Sequence, residues 1–173
     1  CKNDHVYFIG RKEDIDDITV SSTKIRSALT HGDVNTATRY LGYDYPVSGK
    51  VVAGNSLGKK IGFPTANILV GQTYKLIPGD GVYAIKASVQ GQTYGGMANI
   101  GHQPTFDNRS HAFEVNIFGF NKDIYGENVK VEFVSRIRSE MKFDGVDSLM
   151  AQLQNDKATA LNILNTNESR KLV

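Results

Sequence analysis

The chain has little that would staple it, ligate a metal or hold it in a membrane. Cys1 is the only cysteine among 173 residues, which excludes a disulfide framework and a cysteine-built zinc site and points to a reducing, cytosolic setting. The four histidines, at 5, 31, 102 and 111, show no metal-ligand spacing and are assigned no metal. No run approaches the roughly 18 apolar residues of a membrane span, and the first residues lack the pattern of a signal peptide. An excess of one charge is missing too: twenty basic against eighteen acidic residues leave a formal +2. That is too little to imply nucleic acid by electrostatics alone, so any basic site is local. No internal repeat or low-complexity segment is present. Because the first residue is not Met, the expectation is a fragment of a longer chain.

What remains is enough for one full domain and a short appendage, since 40% of the residues are hydrophobic. Val6 to Ile9 forms a short apolar run closed by Gly10 and resembles a buried strand taken from a larger sheet. Ser21 or Ser22 can cap a helix carrying Ile25, Ala28 and Leu29, with Gly32 as its stop. Asp33 then caps a second helix with Val34, Ala37 and Leu41 inward and Gly42 at its end. From Tyr45 the period changes to that of strands. Val47 to Ala53, Val82 to Val89, Thr93 to Ile100, Ala112 to Phe118 and Val129 to Ile137 are strand candidates, with a tight connection at Gly91-Gln92. Strands spaced by turns with no helices between them predict an antiparallel sheet closed into a small barrel. Val146, Leu149, Met150, Leu153, Leu161 and Leu164 approximate helical spacing, so residues 146–165 are expected to pack on the barrel as one or two helices.

Between the first two strand regions lies the stretch from Gly54 to Asn67, with three glycines, two lysines and a Pro-Thr pair. Backbone amides at Gly54, Gly58 and Gly62 can approach an anion closely, and Lys59 and Lys60 add charge. It is not a Walker A loop: three residues separate Gly54 from Gly58, Ile61 follows Lys60, and Gly62 and Pro64 disfavour a helix there. The alternative is a surface hairpin with solvated lysines. At its end Pro64 stiffens the chain, so that Thr65 and Asn67 can offer one hydroxyl and one amide to a cation and its phosphates, or else form a capped turn.

Glu114 lies in a strand between Phe113 and Val115, held in place rather than on a mobile loop. It suits a base accepting a proton from a substrate hydroxyl, and equally a solvated glutamate on an edge strand. Arg138 ends the last strand. It suits an aromatic or phosphate ligand, or an ion pair with Glu140. The Ser21-Ser22-Thr23-Lys24-Ile25-Arg26 run combines hydroxyls and two cations at a helix start, either as a polyphosphate seat or as ordinary capping.

Gly49 to Gly54 and Gly58-Lys59-Lys60-Ile61-Gly62-Phe63-Pro64-Thr65-Ala66-Asn67 resemble the signature of riboflavin kinases. Gly81 to Ala84, Asn99-Ile100-Gly101 with Pro104-Thr105-Phe106, Phe113-Glu114-Val115, Ile124-Tyr125-Gly126 and Ile137 to Phe143 continue the resemblance in order. The segment before it is similar to the end of the FMN adenylyltransferase domain of bacterial bifunctional FAD synthetases, with Ser21 to Arg26 matching a nucleotidyltransferase motif. The earlier histidine-containing nucleotide motif of such enzymes is absent from the sequence.

The resemblance implies a mainly β fold, a six-stranded antiparallel Greek-key barrel with a C-terminal helix over residues 45–165, after an α/β remnant at 1–44 and before a tail at 166–173. It implies ATP-dependent phosphorylation of the riboflavin 5′-hydroxyl to FMN, with ADP as the second product, Mg²⁺ as cofactor, and an adenylyltransferase domain as partner in the parent chain. It places Thr65 and Asn67 on Mg²⁺ and ATP phosphates, Gly54, Gly58, Lys59, Lys60, Gly62, Pro64 and Arg138 around the ligands, and Glu114 as base. Lys59 stands where the family usually has Arg, Gln103 replaces a frequent Arg, and Asn116 a common His. Competing readings are a fragment serving only nucleotidyl transfer, and an OB-like barrel for single-stranded nucleic acid.

Overall fold

The computed structural model describes residues 14–15, 18–53, 57–72, 74–102 and 111–171. The strand expected at Val6 to Ile9, and Gly54, Gln103 and the Pro104-Thr105-Phe106 motif, lie outside the described residues. Two short strands, β1 (Asp14–Ile15) and β2 (Ile18–Thr19), pair with each other. Helices α1 (Ser22–Thr30) and α2 (Val34–Leu41) follow. Then come β3 (Tyr45–Val52), a helical turn α3 (Leu57–Lys60), β4 (Ala66–Leu69), β5 (Gly81–Val89), β6 (Gln92–His102), β7 (His111–Ile117), β8 (Asn128–Arg138) and α4 (Val146–Lys171).

Six strands close into an antiparallel barrel in the order β3-β4-β7-β6-β5-β8. β5, β6 and β7 are joined in succession while β4 returns to lie beside β7, which is a Greek-key arrangement. Two residues, Gln90 and Gly91, connect β5 to β6, both at positive φ (51° and 77°). This is the turn geometry whose twist matches a hairpin, and glycine takes the second position without strain. Alternation fills the interior: Val47 and Val51 from β3, Tyr83, Ile85 and Ala87 from β5, and Val129, Val131 and Phe133 from β8 are all buried. Inside, the Phe133 ring meets Tyr83 edge-on at 5.3 Å and stacks near Phe113 at 5.8 Å.

The two N-terminal helices begin and end as the capping residues dictate. Ser21 accepts from the Lys24 amide and Asp33 from the Thr36 amide, while Gly42 ends α2 in the left-handed region. Their inward residues Leu29, Val34 and Ala37 share one apolar core with the barrel. Arg136 clamps this junction: its guanidinium donates to the carbonyls of His31 and Asp80. Tyr83 donates to the Gly79 carbonyl, and burial raises its pKa against the opposing pull of Arg136.

Two expectations change. Strict alternation along β8 would set Ile137 on the interior face with Val129, Val131 and Phe133, but a register shift between the Ile85–Phe133 and Ala84–Ser135 pairs reverses the alternation before it; Ile137 packs instead with Ala84, Met97 and Ala160 outside the barrel. The C-terminal segment is a single helix, one of the two arrangements expected, but Val146 and Leu161, expected to face inward, are exposed. Its inward line runs through Leu149, Leu153, Asp156, Ala160 and Leu164, against β5, β6 and β8. A carboxylate interrupts the apolar stripe, so counting only apolar residues rotates the helix wrongly.

Candidate active site

Because directly opposed residues of antiparallel strands share a face, the pairing register places the functional side chains. Asn67 pairs with Glu114, Glu114 with Asn99, Asn99 with Val82, and Val82 with Arg138. One row thus crosses five strands, β4-β7-β6-β5-β8. Phe113 and Val115 on either side of Glu114 point into the core, so the whole row faces outwards. Neighbouring members are about 5 Å apart along it. Asn67 and Glu114, 47 positions apart by their residue numbers, are therefore adjacent, and Glu114 sits on an inner strand of the closed sheet, not an edge.

Two clefts flank the Phe63 to Asn67 segment. The first, about 430 Å³, is bordered by Thr65 and Asn67 and by the Phe120 to Tyr125 loop. The second, about 380 Å³, contains Glu114, Asn99 and Arg138 on a mostly apolar surface that includes Phe63, Met97 and Phe143. Thr65 borders both. Glu114 borders only the second, half-buried. Asn116, one residue pair along β7, donates its side-chain amide to the Pro64 carbonyl at 2.6 Å and so ties this dividing segment to the barrel.

The glycine-rich stretch is partly helical where a loop was expected. In α3 the Gly58 carbonyl accepts from the Ile61 and Phe63 amides, at 3.2 and 2.8 Å. A side chain at Gly58 would meet the Phe63 carbonyl oxygen at 2.3 Å and the Thr65 hydroxyl at 3.2 Å, so only glycine lets the turn fold back this closely. Gly62 takes φ +82°. Gly58 borders the second cleft and Pro64 the first, while Lys60 is exposed. Lys59 contributes to α3 by its backbone; its side chain lies outside the described residues, as does Gly54.

Arg138 does not hold a simple surface pair with Glu140. Its Nε lies 3.0 Å from both carboxylate oxygens of Asp156 and its Nη2 2.8 Å from one, while Nη1 donates to the Ser139 carbonyl at 3.0 Å. Asp156 is 1% exposed, and Gln152 also donates to it at 2.8 Å. The Arg138 guanidinium lies 5.7 Å from the Phe143 ring centre.

Thr65 and Asn67 offer neutral oxygens, the donor type that suits a hard cation whose shell is completed by phosphates and water. Among the described residues no group of three or more His, Cys, Asp or Glu side chains could hold a metal. The Thr65 and Asn67 oxygens therefore fit a metal arriving with its phosphates.

Register unites Asn67, Glu114 and Arg138 in one row and sets Thr65, Pro64 and Gly58 beside it, whereas Lys60 borders neither cleft. Reading residues singly missed Asn99, Asp156 and the Phe120 to Tyr125 wall. Asn99 carried a signal: it occupies the polar parity of its strand, as Glu114 does on the next. No helix among the described residues is long and apolar enough to cross a membrane.

Comparison with known proteins bears on this geometry. The Flavokinase (riboflavin kinase) family model matches residues 41–164. The bifunctional riboflavin kinase/FMN adenylyltransferase of Bacillus subtilis is 45% identical over 148 residues, 84% of this chain and 46% of the relative. Its namesake from Listeria monocytogenes is 47% identical over 139 residues, 80% of this chain and 44% of the relative. The Escherichia coli K12 protein is 37% identical over 144 residues, 83% and 45% respectively. The chain thus spans about half the length of the curated relatives it matches. A crystal structure described as a macrolide-efflux protein from Streptococcus pneumoniae superposes with a TM-score of 0.81 at 44% identity, over 86% of this chain and 49% of that one. With a six-stranded antiparallel barrel, a C-terminal helix and a family match over most of its length, the chain belongs to the riboflavin kinase family.

Proposed function

We propose that this chain transfers the γ-phosphoryl group of ATP to the ribityl 5′-hydroxyl of riboflavin, giving FMN and ADP. The observation that carries the assignment of substrates is the division at Thr65: it borders both clefts, and the carboxylate Glu114 opens only on the apolar one. The flavin ring system suits that second cleft, beside Met97 and Phe143, with its ribityl chain directed to Glu114. The nucleotide suits the first, between the Phe120 to Tyr125 loop and Asn67.

In this arrangement Glu114 takes the proton of the 5′-hydroxyl as its oxygen bonds to the γ-phosphorus, and the bond from that phosphorus to the β–γ bridging oxygen breaks. Thr65 and Asn67 hold the phosphates in line with the acceptor, together with Mg²⁺. When bound, the metal neutralises charge on the transferring phosphoryl group. To the Gly54 to Gly62 segment, with Lys59 and Lys60, we assign the covering of the phosphates once both substrates are bound, although in this structure Gly58 and Ile61 border the second cleft. Arg138 flanks the flavin. Efflux gains no support from the fold, because Tyr83, Ile85, Val131 and Phe133 fill the barrel interior where a conduit would run.

The family match favours phosphoryl transfer over a role confined to nucleotidyl transfer and over an OB-like nucleic-acid module. Residues 1–44 we assign to the end of an FMN adenylyltransferase domain, in keeping with the bifunctional names of the relatives. Dependence on ATP and the single cysteine fit a cytoplasmic enzyme. Incubation of the 173-residue chain with riboflavin, ATP and Mg²⁺, followed by flavin chromatography, tests both assignments together. FMN without FAD is expected. A folded chain that yields no FMN refutes the kinase reading, and FAD made from FMN refutes the assignment of residues 1–44.

A further inference from the structure

The pair formed by Arg138 and Asp156 joins three of the elements that wall the second cleft, although Asp156 and Gln152 do not border it. One wall is the end of β8, which supplies Arg138. A second is the segment after it, pinned at its first residue by the bond from Arg138 to the Ser139 carbonyl and flanked by the same guanidinium at Phe143. The third is the first half of α4, which presents Leu149 and Leu153 to the cleft and carries Gln152 and Asp156 within the next turn. All three meet at the Arg138 guanidinium and the carboxylate it holds, which receives three contacts of 2.8–3.0 Å from that guanidinium and one of 2.8 Å from Gln152.

Stability alone gives a poor account of this choice. A buried ion pair confers no general advantage over apolar residues of the same volume, and the positions before and after Asp156 on the inward line, Leu153 and Ala160, are apolar. What a two-toothed guanidinium–carboxylate contact supplies is direction: it fixes the angle between its partners as well as their distance. Here that angle is the one between α4 and the end of β8, and with it the width of the cleft.

We propose that Asp156, assisted by Gln152, is a positioning residue for the phosphoryl acceptor. It acts through Arg138 and α4 to hold the second cleft at the width the flavin ring system requires, and has no part in nucleotide binding. The inference rests on the assignment of riboflavin to that cleft.

The test uses the full chain with Asp156→Asn, which keeps the volume and leaves Arg138 in place. Riboflavin and ATP are varied independently in steady state, and riboflavin binding is followed separately by the quenching of flavin fluorescence. The expected result is a rise of about tenfold in both the riboflavin KM and its Kd, with the ATP KM and kcat within about threefold of wild type. A residue that merely supports the fold would lower the active fraction, reducing kcat with both KM values unchanged, and that result overturns the proposal. Should Asp156→Asn fail to fold, Gln152→Leu keeps both charges and removes only the fourth contact. It is expected to raise the riboflavin KM about threefold and leave that of ATP unchanged; a flat riboflavin KM overturns the proposal. If the wild-type chain makes no FMN, the kinase reading and this inference fall together. If it makes FMN while both variants keep the wild-type riboflavin KM, this inference alone falls.

Discussion

The first cleft is walled largely by one stretch of chain, Phe120 to Tyr125, set against β3, β4 and β7, whereas the second draws on β5, β6, β7 and β8, the segment after Arg138, and α4. The two also differ in chemistry. The cleft proposed for the nucleotide offers neutral oxygens and a loop; the cleft proposed for the acceptor offers a carboxylate on a sheet and an apolar surface tied down by a buried ion pair. The difference shows where rigidity is needed. Phosphates bring their own charge and their own metal, so a small donor set suffices, while a hydroxyl must be placed against its base by the protein.

The sharpest way to separate the sides is to remove the base. Glu114→Gln preserves shape and the cross-strand row, and is expected to lower kcat about 10²- to 10⁴-fold with little change in either KM, as measured by FMN formation. Wild-type turnover in this variant would remove Glu114 from the mechanism. Thr65→Val strikes the border between the clefts. Because the hydroxyl serves the transferring group, kcat/KM for both substrates is expected to fall together, by about 100-fold; a loss confined to riboflavin would place Thr65 on the acceptor side only. Gly58→Ala tests the backing of that border. The added methyl collides with the Phe63 carbonyl, so urea unfolding should show a loss of about 1–3 kcal/mol. An unchanged midpoint would mean that α3 moves aside freely.

The barrel was legible because its strands alternate, as Glu114 does between Phe113 and Val115, and because Gly91 marks the β5–β6 turn, although that turn is Gln90-Gly91, one residue earlier than the Gly91-Gln92 connection expected. The helix caps at Ser21 and Asp33 were legible for the same local reason. What escaped depends on register. The register shift between the Ile85–Phe133 and Ala84–Ser135 pairs sends Ile137 to the outer face, and no local pattern marks it. β4 escaped because its four residues directly follow a proline and a threonine that suit a turn equally well. Asp156 escaped because a lone carboxylate among apolar helix positions resembles a solvated face until its partner, 18 positions earlier, is brought beside it. Motif resemblance supplied the roles proposed for Thr65, Asn67 and Glu114, and register sets Asn67 beside Glu114.

The division of the site into a nucleotide cleft and an acceptor cleft is tested most directly by crossing two truncations with two substrates. Tyr125→Ala opens the first cleft and Phe143→Ala the second. Steady-state measurement should show Phe143→Ala raising the riboflavin KM about tenfold and sparing that of ATP, and Tyr125→Ala doing the reverse. If both truncations raise the same KM, or each raises the two equally, the clefts do not separate donor from acceptor and the assignment is wrong.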